Sequence, residues 1–184
     1  MNNKLFYTRA ALAAGCASLP SSQQLDAEAT AMMKASFRDQ GIAKVDRLQQ
    51  DASNAECSKA EGKALAEDLA RAIQDAALKT VKLPADGRFI GDWREGEKLA
   101  QNGRGMTWTD KSAAPAANGG NCYNCHQISK AEISYGTIGP SLLAFGKVRG
   151  NGPDMQRYVY GKIYNAKAYS LCSQMPRFGH TGSL

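Results

Sequence analysis

The chain of 184 residues contains no apolar run approaching the roughly 20 residues that span a bilayer, which excludes a bundle of membrane helices. It lacks any block of lysine or arginine: its 23 cations are dispersed against 17 acidic residues, for a net charge of +6. No nucleic-acid footprint is present, and the charge implies at most mild attraction to an acidic partner. No internal repeat occurs, so a solenoid is excluded. Histidine is scarce, with two residues against five cysteines, and an odd cysteine count leaves at least one thiol outside any intrachain disulfide. What remains is 43% hydrophobic and 22% charged, the composition of a soluble globular protein with one domain and an extension, or two small domains.

Residues 1–20 carry Lys4 and Arg9 ahead of a short stretch of small apolar residues, closed by Pro20, and read as a secretory signal. Leu12-Ala13-Ala14-Gly15-Cys16 looks like a bacterial lipoprotein cleavage box that would make Cys16 the lipidated first residue, although Ala13 stands where a larger aliphatic residue is usual. A plain cleaved signal is the alternative. Either leads to the cell envelope, the periplasm, where thiols are oxidised.

Residues 21–91 form a helical extension by their periodicity. Leu25, Ala29, Met32 and Met33 share one helical face, and Leu65, Leu69, Ile73 and Ala76 another, both expected as core or docking faces. A break is expected near Gly41, a looser segment over residues 51–58, and a turn at Pro84-Ala85-Asp86-Gly87. Residues 92–184 make the second part. Its first helix is expected from Trp93 to Asn102, with Asp92 and Glu95 in a capping-box relation and Gly96 marking a close backbone approach.

The most informative segment is Cys122-Tyr123-Asn124-Cys125-His126, the C-x-x-C-H signature of covalent haem c attachment. Two thiols three residues apart on a turn reach the two vinyl groups of one porphyrin, and the adjoining histidine then faces the iron. A zinc half-site also uses C-x-x-C, but Cys57 and Cys172 stand alone as further thiols, and a redox dithiol would not require the adjoining His126. His126 needs an acceptor for its second ring nitrogen. Ile138-Gly139-Pro140-Ser141-Leu142 resembles the cytochrome c segment whose proline carbonyl serves this purpose, which makes Pro140 the candidate.

Four residues contend for the sixth iron position: Met106, Met155, Met175 and His180. Met175 is favoured, since Gln174-Met175-Pro176-Arg177-Phe178-Gly179 resembles the methionine loop of class I cytochromes c. Cys57 and Cys172 would most simply pair in an oxidising compartment, tying the extension to that loop; a direct role for Cys172 as a thiolate ligand is the alternative.

Several segments taken together resemble the SoxX family, the mono-haem cytochrome c subunit of the bacterial sulfur-oxidation complex SoxAX. They are the haem motif, residues 136–142, Phe-Gly-Lys-Val-Arg-Gly at 145–150, Lys-Ile-Tyr-Asn at 162–165 and Met-Pro-Arg-Phe-Gly-His at 175–180. Ser36-Phe37-Arg38-Asp39-Gln40-Gly41 and Cys57 extend the likeness more loosely into the N-terminal part. The resemblance implies an all-α class I cytochrome c fold with an N-terminal helical extension and one haem c, held by Cys122, Cys125, His126 and Met175. It implies a SoxA-like haem-bearing partner, the SoxYZ carrier whose thiol is joined to thiosulfate, and a small cytochrome c as electron acceptor. With His126 and Met175 on the iron, the chain would pass electrons and catalysis would sit in the partner; the alternatives are a free-standing or oxidase-linked periplasmic cytochrome c, or a haem enzyme or sensor with an open sixth site. Only nine residues follow Met175, too few for the C-terminal helix of that fold, which is expected to have been truncated, lost or supplied by a partner; with a natural end here the haem pocket should be open.

Overall fold

The computed structural model describes residues 19–114 and 118–184. Cys16 and the rest of the expected signal lie outside the described residues. The described residues are helical and carry no strand beyond one isolated bridge between Gln40 and Ala43, close to the expected break at Gly41. None of their helices is long and apolar enough to cross a membrane.

The chain divides into two compact units, residues 1–37 and 38–184. The first holds α1 (Ser22–Ser36), which begins with a complete capping box: the Gln24 N–H donates to Ser21 Oγ, and the Ser21 N–H donates to Gln24 Oε1 at 2.8 Å. Leu25, Met32 and Met33 are exposed along it. This stripe is therefore not core.

The second unit begins with a 3-10 helix at Val45–Leu48, followed by α2 (Ala52–Lys59) and α3 (Glu67–Lys79). Residues 51–58, expected to be loose, are instead mostly helix. The Asp51 side chain caps α2 by accepting from the Asn54 N–H at 2.8 Å, and that cap offsets the poor helix propensity of a segment rich in Ser and Asn. In α3 the expected stripe is shifted: Ala70, Ile73, Gln74 and Ala77 are the half-buried positions, while Leu69 is 39% exposed and Ala76 is exposed. Spacing alone would have allowed either face. The partner that decides is the turn at Ala166–Ala168, where Ala166 and Ala168 are buried. Beside it Asn165, 1% exposed, donates from Nδ2 to Thr80 Oγ1 at 2.8 Å, satisfying a polar group that would be costly to bury alone.

The turn at Pro84 forms as expected, with the Gly87 N–H donating to the Pro84 carbonyl at 3.1 Å. The following residues pack onto α6 (Pro153–Tyr164): the Phe89 and Tyr160 rings meet edge-on at 5.5 Å, and the Tyr160 hydroxyl donates to the Lys82 carbonyl. Contacts thus run across residue 91, and residues 38–91 share one compact unit with the part that bears the haem motif.

α4 (Trp93–Gln101) is capped by Asp92, which accepts from the Arg94 N–H at 2.8 Å. The expected capping box does not close, because Glu95 reaches forward to Lys98 at 2.8 Å instead. Nor does Gly96 mark a close approach among the described residues, none of which lies within 4 Å of where its Cβ would be. Short helices α5 (Phe145–Arg149) and α7 (Phe178–Thr181) flank α6 in sequence.

Candidate functional site

The C-x-x-C-H segment sits on a single tight turn. Asn121 enters in the left-handed region at φ 48°, residues Cys122–Asn124 form a 3-10 turn, and the Cys122 carbonyl accepts from both the Cys125 and His126 N–H groups. Tyr123, one of the few nearly fully buried apolar side chains among the described residues, roots this turn in the protein. The loop ahead is docked on the end of α4. The Gly120 N–H donates to the Leu99 carbonyl at 2.8 Å and the Asn121 N–H to the Asn102 carbonyl at 3.0 Å. These bonds satisfy helix-terminal acceptors that would otherwise need water.

The turn then templates its own support. The Gly136, Gly139 and Leu142 N–H groups donate in succession to the carbonyls of Tyr123, Cys125 and Gln127, at 2.7, 2.9 and 2.7 Å. The Ser141 hydroxyl adds a bond to Gln127 Oε1 at 3.0 Å. This ladder brings the Pro140 carbonyl to 2.7 Å from His126 Nδ1. Gly139 is required there by close approach: a Cβ on it would fall 2.1 Å from the imidazole Cε1. With Nδ1 donating to Pro140, the tautomer is set and Nε2 keeps its lone pair for a metal.

Cys122 and Cys125 carry free thiols, and both are half-buried. Burial pushes the Cys122 thiol up, opposite to the lowering that activates redox dithiols. Among the described residues no three of His, Cys, Asp and Glu gather as a metal cluster, so a zinc site on these thiols would lack its remaining ligands. A porphyrin brings four nitrogens of its own and asks less: two thiols, one histidine nitrogen and an apolar surface. All three are present. An apolar cavity of about 610 Å3, within the range of cofactor pockets, is walled by Met155, Val159 and Ile163 of α6 together with Phe89, Phe145 and Leu184. Leu184 and the Cys122 sulfur flank the same backbone position, at 3.7 and 3.0 Å from where a Cβ on Gly120 would stand. The cavity wall does not itself include Cys122, Cys125 or His126.

The candidates for the sixth position are dispersed. Met155 faces the apolar cavity, Met106 is 40% exposed, and His180 is exposed on α7. Met175 is half-buried on the turn before α7 and lines a smaller cavity of about 310 Å3 with Asn54, Lys167 and Arg177. Cys57 and Cys172 form a disulfide, with their Cα atoms 5.5 Å apart, so Cys172 is not a free thiolate.

Sequence reasoning missed the charged groups around Met175. Lys167 is 4% exposed and donates from Nζ to Asn54 Oδ1, and burial pulls its ammonium down from the ordinary lysine value. Arg177 pairs with Asp51. Burial works to raise the Asp51 carboxyl, but donation from the Asn54 N–H, the Ser53 hydroxyl and Arg177 outweighs it and holds the group at about 2. A cation two residues after Met175 was visible; its partner 126 positions earlier carried no local signal.

No family model matches the chain. An alignment of 121 residues, covering 64% of the chain, is 39% identical to a protein of Aquifex aeolicus described as an uncharacterized lipoprotein. The chain is similar to about half of that protein, 54% of its length.

Proposed function

We propose that this chain is a c-type cytochrome that transfers electrons, with one haem c held by Cys122, Cys125, His126 and Met175. The observation that carries the reading is the His126 turn: adjacent free thiols, an imidazole whose Nδ1 is bound to the Pro140 carbonyl at 2.7 Å, and Nε2 left to donate. The haem, when bound, would supply one-electron redox chemistry. Cys122 and Cys125 would hold it through thioether bonds, while Pro140 keeps the proton on Nδ1 and so strengthens Nε2 as a ligand. Met175 would occupy the sixth position; a thioether there favours a higher potential than a second histidine. The apolar side chains of α6 would keep water from the group and raise the potential further.

The finer reading rests on the sequence resemblance to SoxX: a class I cytochrome c fold, working as the electron-transfer subunit of a thiosulfate-oxidising SoxAX complex. In it, coupling thiosulfate to the carrier cysteine of SoxYZ releases electrons that this chain accepts one at a time and hands to a small cytochrome c. The partner bears the catalytic haem. The protein works in the periplasm, and the lipoprotein description of the Aquifex aeolicus relative supports export and a lipid anchor at Cys16.

The test is expression alongside a c-haem maturation system, with haem staining of the denatured chain and its intact mass. Covalent haem in the native protein and none in Cys122→Ser/Cys125→Ser is the expected result; a native protein lacking covalent haem ends the proposal. Co-purification with a second, haem-bearing subunit tests the SoxAX assignment. Isolation as a lone cytochrome from a host carrying that subunit would replace it with a free-standing electron carrier.

A further inference from the structure

The loop that carries Met175 is fastened on both sides to one short helix. Asp51, Asn54 and Cys57 are spaced by three residues, which puts them along one face of α2 and its cap. Each meets a different point of the loop region. Cys57 is bonded to Cys172, three residues before Met175. Asp51 pairs with Arg177, two residues after it. Asn54 accepts from Lys167, which lines the same small cavity as Met175.

The anchor groups are themselves held in place. The Asp51 carboxylate accepts from the Ser53 hydroxyl at 2.8 Å and from the Asn54 N–H at 2.8 Å, so it is oriented before Arg177 arrives. The Arg177 side chain is only 19% exposed. Within the loop, the Met175 N–H donates to Ser173 Oγ at 3.1 Å. The stretch at 169–177, between the 3-10 turn and α7, has no regular backbone ladder and would otherwise sample many conformations, and a thioether ligand binds iron weakly enough to be lost when its loop swings out.

We infer that α2 is the positioning element for Met175, with Asp51, Arg177 and the Cys57–Cys172 disulfide as positioning residues that keep the thioether on the iron. The inference rests on the reading of Met175 as the sixth ligand and adds what holds it there. Loosening a tether raises the population in which Met175 is off the iron, and an external ligand then binds more tightly in proportion. The disulfide makes this hold sensitive to reduction. A thiol reductant that takes Cys57–Cys172 to two thiols, itself becoming a disulfide, would free the loop on its N-terminal side.

The experiment uses the haem-loaded full chain and imidazole as the external ligand. The ferric protein should show the weak methionine-to-iron absorption band, Met175→Ala should lose it, and Met155→Ala should keep it. Asp51→Asn, Arg177→Gln and Cys57→Ser/Cys172→Ser should keep the band at rest but bind imidazole about tenfold more tightly, and Asp51→Glu should restore the native affinity. A native protein without the band would overturn the Met175 reading and this inference with it. A native band with imidazole affinities within twofold in all three variants would overturn the inference alone. Should these variants fail to load haem, the same reading comes from the native protein: carbon monoxide binding to the ferrous form must speed up about tenfold once the disulfide is reduced, and an unchanged rate overturns the inference.

Discussion

The two halves of the proposed haem site are built by opposite means. The His126 side is a local, backbone-made structure: a tight turn, three carbonyls that pick up the segment at residues 136–142, and a glycine that lets the imidazole lie against the chain. On the Met175 side, Met175 itself is bound locally to Ser173, and the region is held by three links to residues more than a hundred positions away: the Cys57–Cys172 disulfide, the Asp51–Arg177 ion pair and the Asn54–Lys167 hydrogen bond. A backbone-templated site is insensitive to most side-chain changes and to redox conditions. A side-chain-tethered site can be loosened one contact at a time.

The sharpest way to break this contrast is at the thiols. Cys122→Ser/Cys125→Ser should abolish covalent haem altogether, read by haem staining after denaturation, while helix content in circular dichroism survives in part. Next in size is the disulfide. It closes a loop with a sequence separation of 115 residues, so Cys57→Ser/Cys172→Ser should cost about 2–5 kcal/mol in urea unfolding. If the Met175 side were as self-supporting as the His126 side, the loss would be far smaller.

On the His126 side the comparable lesion is Gly139→Ala. The added methyl would meet the imidazole at 2.1 Å, and overpacking of this kind costs roughly 1–3 kcal/mol. Its signature should be a weakened His126–iron bond with the Met175 loop undisturbed.

Acid separates the two sides more gently. Asp51 is held at about 2 in the folded protein, below its ordinary value of 3.8, so the folded state binds its proton less readily than the unfolded one. The stabilisation is therefore complete above pH ~4 and disappears as the pH falls from there to ~2. With the Asp51 side chain 40% exposed, screening limits it to about 1 kcal/mol. Unfolding free energies measured from pH 5 to pH 2 should fall more steeply in the native protein than in Asp51→Asn. The smallest effect is a gain. Gly96 lies in the middle of α4 with open space around its Cβ position, so Gly96→Ala should stabilise by about 0.5–1 kcal/mol in thermal unfolding. If it destabilises instead, α4 meets another backbone there.

What could be read beforehand divides along the same line. The C-x-x-C-H motif and the turn at Pro84 are short-range patterns in which a few adjoining residues carry the geometry, whereas the Pro140 acceptor was legible only through the resemblance of residues 138–142 to a cytochrome c segment. The Cys57–Cys172 pairing was legible by elimination, since covalent chemistry leaves thiols few options in an oxidising compartment. The covered face of α3 was not. Leu65, Leu69, Ile73 and Ala76 have ideal helical spacing, yet α3 packs on the turn around residue 166 with Ala70, Ile73, Gln74 and Ala77 as its half-buried positions, and only Ile73 is common to the two sets within the helix. The cap that makes α2 a helix was overlooked because Asp51 followed by Ala-Ser-Asn suggests a loop equally well. Gly96 suggested a neighbour that is not found among the described residues, since a glycine says only that a side chain is absent.

The sequence by itself determined the all-helical class, the turn that presents two thiols and a histidine, and the supply of cysteines for one cross-link, because each depends on residues near one another or on bonds few residue types can form. Only the tertiary structure decided which face of α3 is covered, that residues 38–91 belong with the haem-motif unit, and that Asp51 and Asn54 reach Arg177 and Lys167. Ion pairs and packing faces are degenerate in sequence: 23 cations and 17 acidic residues allow many pairings, and only the path of the backbone chooses among them.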